Sequence, residues 1–398
     1  MRTPRVLRRG GPLDRTLAAT LVTVALVAGF TLFHLAWHNW TPSTNVLAGS
    51  EFVDPSSAPA DLRVRDGDSY DGQFVYALSL HPLTRSAHFD AFTLDYPAYR
   101  QQRIGLPLVA HAVHATTHLR LSVTLIVIEA LSVLAVGIAG AALMRRFERH
   151  ALWGVMLAVE PALTIASARD LTEPFAWATL LGGLVWWLDR RFVLAGAAFT
   201  LACLTRETSA VLLLGLGLGQ LVHGVRPRWR GAVPIAVAGG VAFGWQLWLR
   251  HVWGALPINS GPKNVGRPIV GAFDSIRDGF EDATGGGAHA AHFGVAWQVE
   301  RLTLLALVVA ALLLLLRSPL PAPVKWAWAT SAALAFTLHN WSYDAQFLRA
   351  AHEAWAMSLL VVVTAFPRRF PLRSVRTGAL GAAAVVSVYV FGFYAQGL

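Results

Sequence analysis

Charge is scarce in this sequence and cysteine almost missing: Asp, Glu, Lys and Arg make up 14% of 398 residues, and Cys203 is the single cysteine. Soluble domains carry about a quarter charged residues, so the composition excludes an ordinary soluble globular domain. One cysteine excludes an intrachain disulfide framework and a thiolate metal site. Chemical signatures are missing too. There is no GxxxxGK loop, no GxGxxG opening a helix after a strand, no GxSxG elbow and no HExxH pair, which argues against nucleotide binding, a hydrolase nucleophile elbow and a zinc protease site.

What is present is hydrophobic, at 55% of residues. Eleven apolar segments stand out: 16–37, 119–143, 151–168, 173–188, 192–205, 207–222, 231–250, 301–317, 324–340, 352–366 and 377–396. A membrane-crossing helix needs about 20 apolar residues, and the first segment meets that length. Following the basic stretch "MRTPRVLRRGGPLDR", it reads as a retained membrane helix, because a signal peptide has a shorter apolar core and a small-residue cleavage site. The expected fold is all-α: a polytopic transmembrane bundle of about 11 spans forming one domain over 1–398. Trp186, Trp187, Trp248, Trp253 and Trp341 fall near span ends and read as interface anchors.

The net charge of +10 does not imply nucleic acid as a partner, because the basic residues lie in short blocks between apolar segments. With the N-terminus in the cytoplasm, the blocks "MRRFERH", "DRR", "HGVRPRWR", "RSPLPAPVK" and "PRRFPLRSVR" share one face. That face carries 19 of 33 basic residues and 3 of 23 acidic ones, as the positive-inside rule requires. The expected location is therefore the cytoplasmic (inner or plasma) membrane, with two large extracytoplasmic loops, 38–118 and 251–300. The first is expected to hold juxtamembrane helices. The second contains "EDATGGGAHAAHFG", whose glycines suggest mobility.

The polar residues gather on the outer side. "RDGDSYDG" places Asp66, Asp68 and Asp71 just after the first span. "ASARDLTEPF", "CLTRETSAV" and "LHNWSYDAQFLRAAHEAW" add Arg169, Asp170, Glu173, Arg206, Glu207, His339, Asp344, Arg349, His352 and Glu353. Charges near a bilayer are costly unless paired or facing a wet cavity. An outer carboxylate can take a proton from an acceptor hydroxyl, and arginine suits a leaving phosphate. Arg206, Arg349 and Arg103 are the candidate phosphate contacts, with Arg100 beside Arg103. The structural alternative is an ion-pair network in which Arg206 and Glu207 pair with each other or with Arg169 and Asp170. Asp71 also has an alternative role, as a helix N-cap. Glu129 and Glu160 fall within spans and are either functional or hydrogen-bonded between helices. His111, His114 and His118 have helical spacing and suit a headgroup-facing helix better than a metal site.

"YDGQFVYALSLHPL", followed by "LDYPAYRQQRIGLPLVAHAV", resembles the first outer loop of the GT-C superfamily of integral-membrane glycosyltransferases. "RDLTEPFAWATLL" and "LTRETSAVLLL" resemble outer-edge turns of its mannosyltransferase-like members. The resemblance covers roughly residues 60–225. It implies a GT-C-like architecture and sugar transfer, with inversion, from a polyprenyl-phosphate-linked donor to a cell-envelope lipid or glycan acceptor, among membrane lipids. It also implies Asp71 as the general base, with Asp68 as rival or partner. Some members use a divalent ion (Mg or Mn) beside this aspartate, and Asp68 with Asp71 could help hold one; no metal ligands are assigned. Two other functions stay open: a transporter or lipid flippase using Glu129 and Glu160, and a non-catalytic membrane partner with the GT-C fold.

Overall fold

A computed structural model describes residues 12–67, 69–262, 265–285, 288–338 and 349–366. The fold is all-α, with four two-residue strands among the described residues. Asp68, the segment 339–348 and the apolar stretch 377–396 lie outside them.

The first helix, α1 (Pro12–Trp37), leads into an elaborate connection. This connection holds β1 (Ala48–Gly49) parallel to β2 (Val64–Arg65), then α2 (Gly72–Leu80). Next come the antiparallel pair β3 (His88–Phe89) and β4 (Phe92–Thr93), the short α3 (Pro97–Gln101) and α4 (Gly105–Thr117). The connection has its own core, in which Val46, Tyr76, Phe92 and Leu106 pack on Leu121 and Leu125 of α5 (Leu121–Arg146). Asp61 ties the two together: it accepts from Tyr76 Oη at 2.7 Å and from Ser122 Oγ at 3.0 Å. Burial, then the bond to Asp61, raises the Tyr76 hydroxyl well above the ordinary tyrosine range.

The bundle continues through a 3-10 turn (Ala151–Leu157), α6 (Pro161–Ser167), α7 (Glu173–Leu188), α8 (Phe192–Thr205), α9 (Glu207–His223) and α10 (Arg228–Trp253). Then follow α11 (Pro257–Ser260), α12 (Val270–Gly285), α13 (Ala288–Leu314), α14 (Ala322–Thr337) and α15 (His352–Ala365). The main core fills the space between α7, α8, α9, α14 and α15, with Trp177, Phe199, Leu216, Trp328 and Met357. Small residues allow the closest approach. A Cβ on Gly154 would come within 2.1 Å of the Ala141 backbone nitrogen, so the 3-10 turn seats directly on α5 only because both sides are small there.

Among the described residues three helices are long and apolar enough to cross a membrane: α1 over Thr16–Trp37, α5 and α10. Expected segments 173–188, 192–205 and 207–222 are all helices, but of 16, 14 and 17 residues. At about 1.5 Å per residue they fall short of the roughly 30 Å hydrocarbon layer. Segment 151–168 is not one helix. Glu160 is extended (φ −61°, ψ 137°) before Pro161, as the steric demand of proline on its predecessor requires. Much of 251–300 is helical, in α11, α12 and the first half of α13. In α12, Ala272 and Ser275 are buried while Phe273 and Arg277 face out, the one-sided pattern of a surface helix. Trp187, read as an interface anchor, is buried and donates to the Gly231 carbonyl at 2.8 Å. Trp253 also has an internal partner, the Gln101 side-chain carbonyl at 2.7 Å.

Candidate functional site

The polar segments converge because each sits at a helix terminus at the same end of the bundle. Glu173, Glu207 and Glu353 occupy the first turns of α7, α9 and α15, where the helix dipole favours negative charge. Arg206 is extended (φ −150°, ψ 125°) and separates α8 from α9. Arg349 lies just before α15, and Arg100 and Arg103 lie in and just after α3.

Asp71 immediately precedes α2. Its backbone is helical, and its side chain makes no capping hydrogen bond. The carboxylate instead turns towards the bundle. Arg100 Nη1 donates to Asp71 Oδ1 at 2.6 Å, and Arg349 Nη2 donates to Asp71 Oδ2 at 3.3 Å. Gly72 makes this placement feasible: a Cβ there would lie 2.4 Å from the Arg169 carbonyl oxygen and 2.9 Å from that of Val46. The start of α2 is thus pressed onto the backbone between α6 and α7.

Each guanidinium is held from more than one side. Arg100 makes a fork to Asp95, with both bonds at 2.7 Å, and lies 3.9 Å over the Phe74 ring. Arg349 Nε donates to Glu173 at 2.7 Å, and its Nη1 donates to Tyr70 Oη at 2.9 Å. Arg206 lies 2.9 Å from the same Glu173 oxygen and 3.4 Å from Glu353. It also donates to Thr208 Oγ1 at 2.8 Å and to the Arg349 backbone carbonyl. Arg103 clasps Glu207 through bonds of 3.0 and 2.7 Å. Such two-pronged geometry is the strong form of the Arg–carboxylate bond.

Asp71, Phe74, Tyr99, Arg100, Arg103 and Arg349 face one narrow cleft of about 20 Å³. Burial alone would push the Asp71 carboxyl up. Arg349, Arg100 and Arg103 outweigh it and hold the group far below the usual carboxylate range. About a third of the Asp71 side chain stays exposed, against 10% of Arg349 and 2% of Glu173. The acid is therefore the most exposed member of this group, with Arg100 and Arg349 beside it at the cleft and Glu173 behind.

The structure brings Asp71, Arg349 and Arg103 to this cleft and places Arg206 behind it, joined to Arg349 through Glu173. Arg206 and Glu207, adjacent in sequence, do not pair with each other: one turns to Glu173 and Glu353, the other to Arg103. Arg100, which the sequence offered beside Arg103, is a closer partner of Asp71 than Arg349 is. Glu173, which holds two arginines, was not selected. The signal for Arg100 lay in "DYPAYR", where Asp95 precedes Arg100 by five residues across a proline-started turn.

Glu160 Oε2 lies 2.8 Å from the buried His352 Nδ1. His111 and His114 each place Nδ1 within hydrogen-bond distance of a backbone carbonyl, at 2.9 and 2.6 Å. Among the described residues no group of three His, Cys, Asp or Glu side chains is placed to hold a metal. Both Asp71 oxygens face guanidinium groups, an arrangement that does not fit a divalent cation there. Compared with known proteins, the chain matches no family model, and no curated sequence matches it either.

Proposed function

We propose that this chain is a multi-pass membrane glycosyltransferase of the GT-C kind, with an extracytoplasmic active face. It transfers a sugar from a polyprenyl-phosphate donor to an extracytoplasmic acceptor. The observation that carries the reading is the sharing of one exposed-edge carboxylate, Asp71, between Arg100 and Arg349 in a cleft at the polar end of the bundle.

A carboxylate held this far down is a weak base, because a general base works best with a pKa near the operating pH. A phosphate entering the cleft competes for the same guanidinium groups. As Arg349 and Arg100 turn to it, Asp71 loses the attraction that depressed it and becomes more basic. The acceptor oxygen then attacks the anomeric carbon from the face opposite the phosphate. The new C–O bond forms as the bond to phosphate breaks, the phosphate leaves with the electron pair towards the arginines, and Asp71 takes the hydroxyl proton. Donor binding and base activation are one event in this scheme, which limits wasteful hydrolysis before the donor is seated.

The test uses the full chain in lipid with radiolabelled polyprenyl-phosphate sugars. General-base removal costs about 10²- to 10⁴-fold in rate, so Asp71→Asn is expected to lose transfer by at least about a hundredfold while unfolding like a folded protein. Full activity in that variant removes Asp71 from the chemistry. If the wild type uses no donor in the panel, substrate-dependent uptake into vesicles carrying the chain tests the transporter reading through Glu129 and Glu160.

A further inference from the structure

A second cavity shares no lining residue with the Asp71 cleft. α1 and α5 run antiparallel: Arg145 Nη1 donates to Thr16 Oγ1 at 2.6 Å, and Thr23 packs where a Cβ on Gly137 would strike it. Beyond Thr23 the two helices part. A cleft of about 330 Å³ opens between them, walled by Phe30, Phe33, Ile126, Val133 and Leu163. Ligand pockets run to roughly 300–1,000 Å³, so this one falls at the small end of that range, enough for one slender chain. It follows α1 from Thr23 to Leu35, about 18 Å of helix at about 1.5 Å per residue.

The wall is largely hydrocarbon, and Glu129 is its one acidic side chain among the described residues. Glu129 lines the cleft, is 1% exposed, and neither of its oxygens has a hydrogen-bond partner among the described residues. A buried carboxyl without a partner costs several kcal/mol, and buried polar groups in folded proteins are nearly always satisfied. Asp170 and Glu173 act on it with charge of the same sign. They disfavour an anionic ligand at this point and favour one that donates. His34 and Asn45 line the same cleft, and the Asn45 backbone carbonyl packs against Gly72 beside Asp71, so the polar end of the cleft lies towards the end of the bundle that holds Asp71.

We propose that the α1–α5 cleft is a binding site for a single-chain lipid whose head, a hydroxyl or an ammonium, donates a hydrogen bond to Glu129. The chain lies along α1, and the head replaces the partner that the protein does not supply. The site stands independently of the sugar-transfer reading.

The experiment photolabels the full chain in lipid with three probes of equal length, each carrying a diazirine in its alkyl chain: a long-chain alcohol, an alkylamine and an alkyl phosphate. Peptide mapping reads the labelled residues. The alcohol, the amine or both are expected to label cleft residues on α1 and α5; which of them does so identifies the head. A lost hydrogen bond to a charged group is worth about 1.5–3 kcal/mol, so the alkyl phosphate and the Glu129→Leu variant are expected to fall behind by about tenfold or more. Glu129→Gln, which still accepts, is expected to keep the label. Gly29→Trp and Ala130→Trp fill the cleft from opposite walls and are expected to abolish it. A Cβ on Gly29 meets nothing within 4 Å, so that variant is expected to unfold like the wild type. Equal labelling by the phosphate, or labelling unchanged in both tryptophan variants, overturns the proposal.

Discussion

Two regions of this molecule bury carboxyl groups in apolar surroundings and treat them in opposite ways. At the junction of α3, α7, α9 and α15, Asp71, Asp95, Glu173, Glu207 and Glu353 are met by Arg100, Arg103, Arg206 and Arg349 at 2.6–3.4 Å. In the α1–α5 cleft, Glu129 faces hydrocarbon. Backbone position accounts for the contrast. The junction is built from helix ends, where each acid gains from a dipole and where arginines on neighbouring segments can reach it. Glu129 sits mid-helix, nine residues into α5 counting from Leu121, beyond the reach of any such end. At the junction these acids and arginines already pair with one another, and a ligand must compete to enter. The cleft is incomplete, and a ligand would finish it.

The largest expected effect comes from breaking the junction at its most buried point. Glu173 holds Arg349 and Arg206 on one oxygen and is 2% exposed. Removing one partner of a buried pair costs about 3–5 kcal/mol because it strands the other charge, and here two arginines are stranded. Glu173→Ala is therefore expected to lose a large part of the roughly 5–15 kcal/mol that separates folded from unfolded protein. Thermal unfolding in detergent measures it, and Glu173→Gln should recover part of the loss. A change in Glu173→Ala of less than about 1 kcal/mol, within the range of an exposed pair, would mean that the arginines re-pair with Asp71 and Glu353, and that the junction is adaptable rather than fixed.

The contrast between these regions was only partly visible in the sequence. Helices α7, α8 and α9 were, because their apolar runs are punctuated by Glu173–Pro174, by Arg191 and by Arg206. The meeting of "RDLTEP", "LTRET" and "RAAHE" at one end follows from their shared place between apolar runs. The pairing within that end was not legible. Neighbours such as Arg206 and Glu207 flank a helix start and diverge, so adjacency misleads, and partners come from segments over a hundred residues away. Helices within residues 38–118 were expected, from the spacing of His111, His114 and His118 and from Asp71 as a helix start, but how α2 to α4 pack was not legible. Their placement depends on Gly72, Gln101 and Asp61 contacts that exist only after folding. Glu129 was singled out, but an adjoining cavity is a property of how α1 leans away from α5, and no residue pattern encodes that angle.

A smaller effect sharpens the same comparison through pH. Asp71 is held far below the usual range by Arg349, Arg100 and Arg103 against the opposing pull of burial. A carboxylate with a depressed folded-state pKa contributes stability that is fully present above its unfolded value near 3.9 and is lost as pH falls through the lower folded value. Asp71→Asn is thus expected to lower stability at neutral pH by about 1–3 kcal/mol, the cost of leaving a charged partner underused. The gap between variant and wild type is expected to narrow below about pH 4. A gap that stays constant down to acid pH would show that Asp71 acts through shape alone, and would weaken its place in the junction.

The smallest effect uses the same chemistry without burial. On α12, Arg277 lies 2.8 Å from Asp278, 3.9 Å from Asp274 and 4.0 Å from Glu281, with 58% of its side chain exposed. By distance alone this cluster resembles the junction. Water and salt screen it, and exposed pairs of this kind often contribute nothing measurable. Arg277→Ala is therefore expected to leave the thermal midpoint in physiological salt unchanged, in the preparation where Glu173→Ala shifts it strongly. Lowering the ionic strength should open a small gap, because screening weakens as salt is removed. If Arg277→Ala instead costs as much as the Glu173 variant at physiological salt, α12 must be shielded from solvent in the native membrane assembly. In that case the distinction to draw would be between covered and uncovered faces, rather than between helix ends and surface helices.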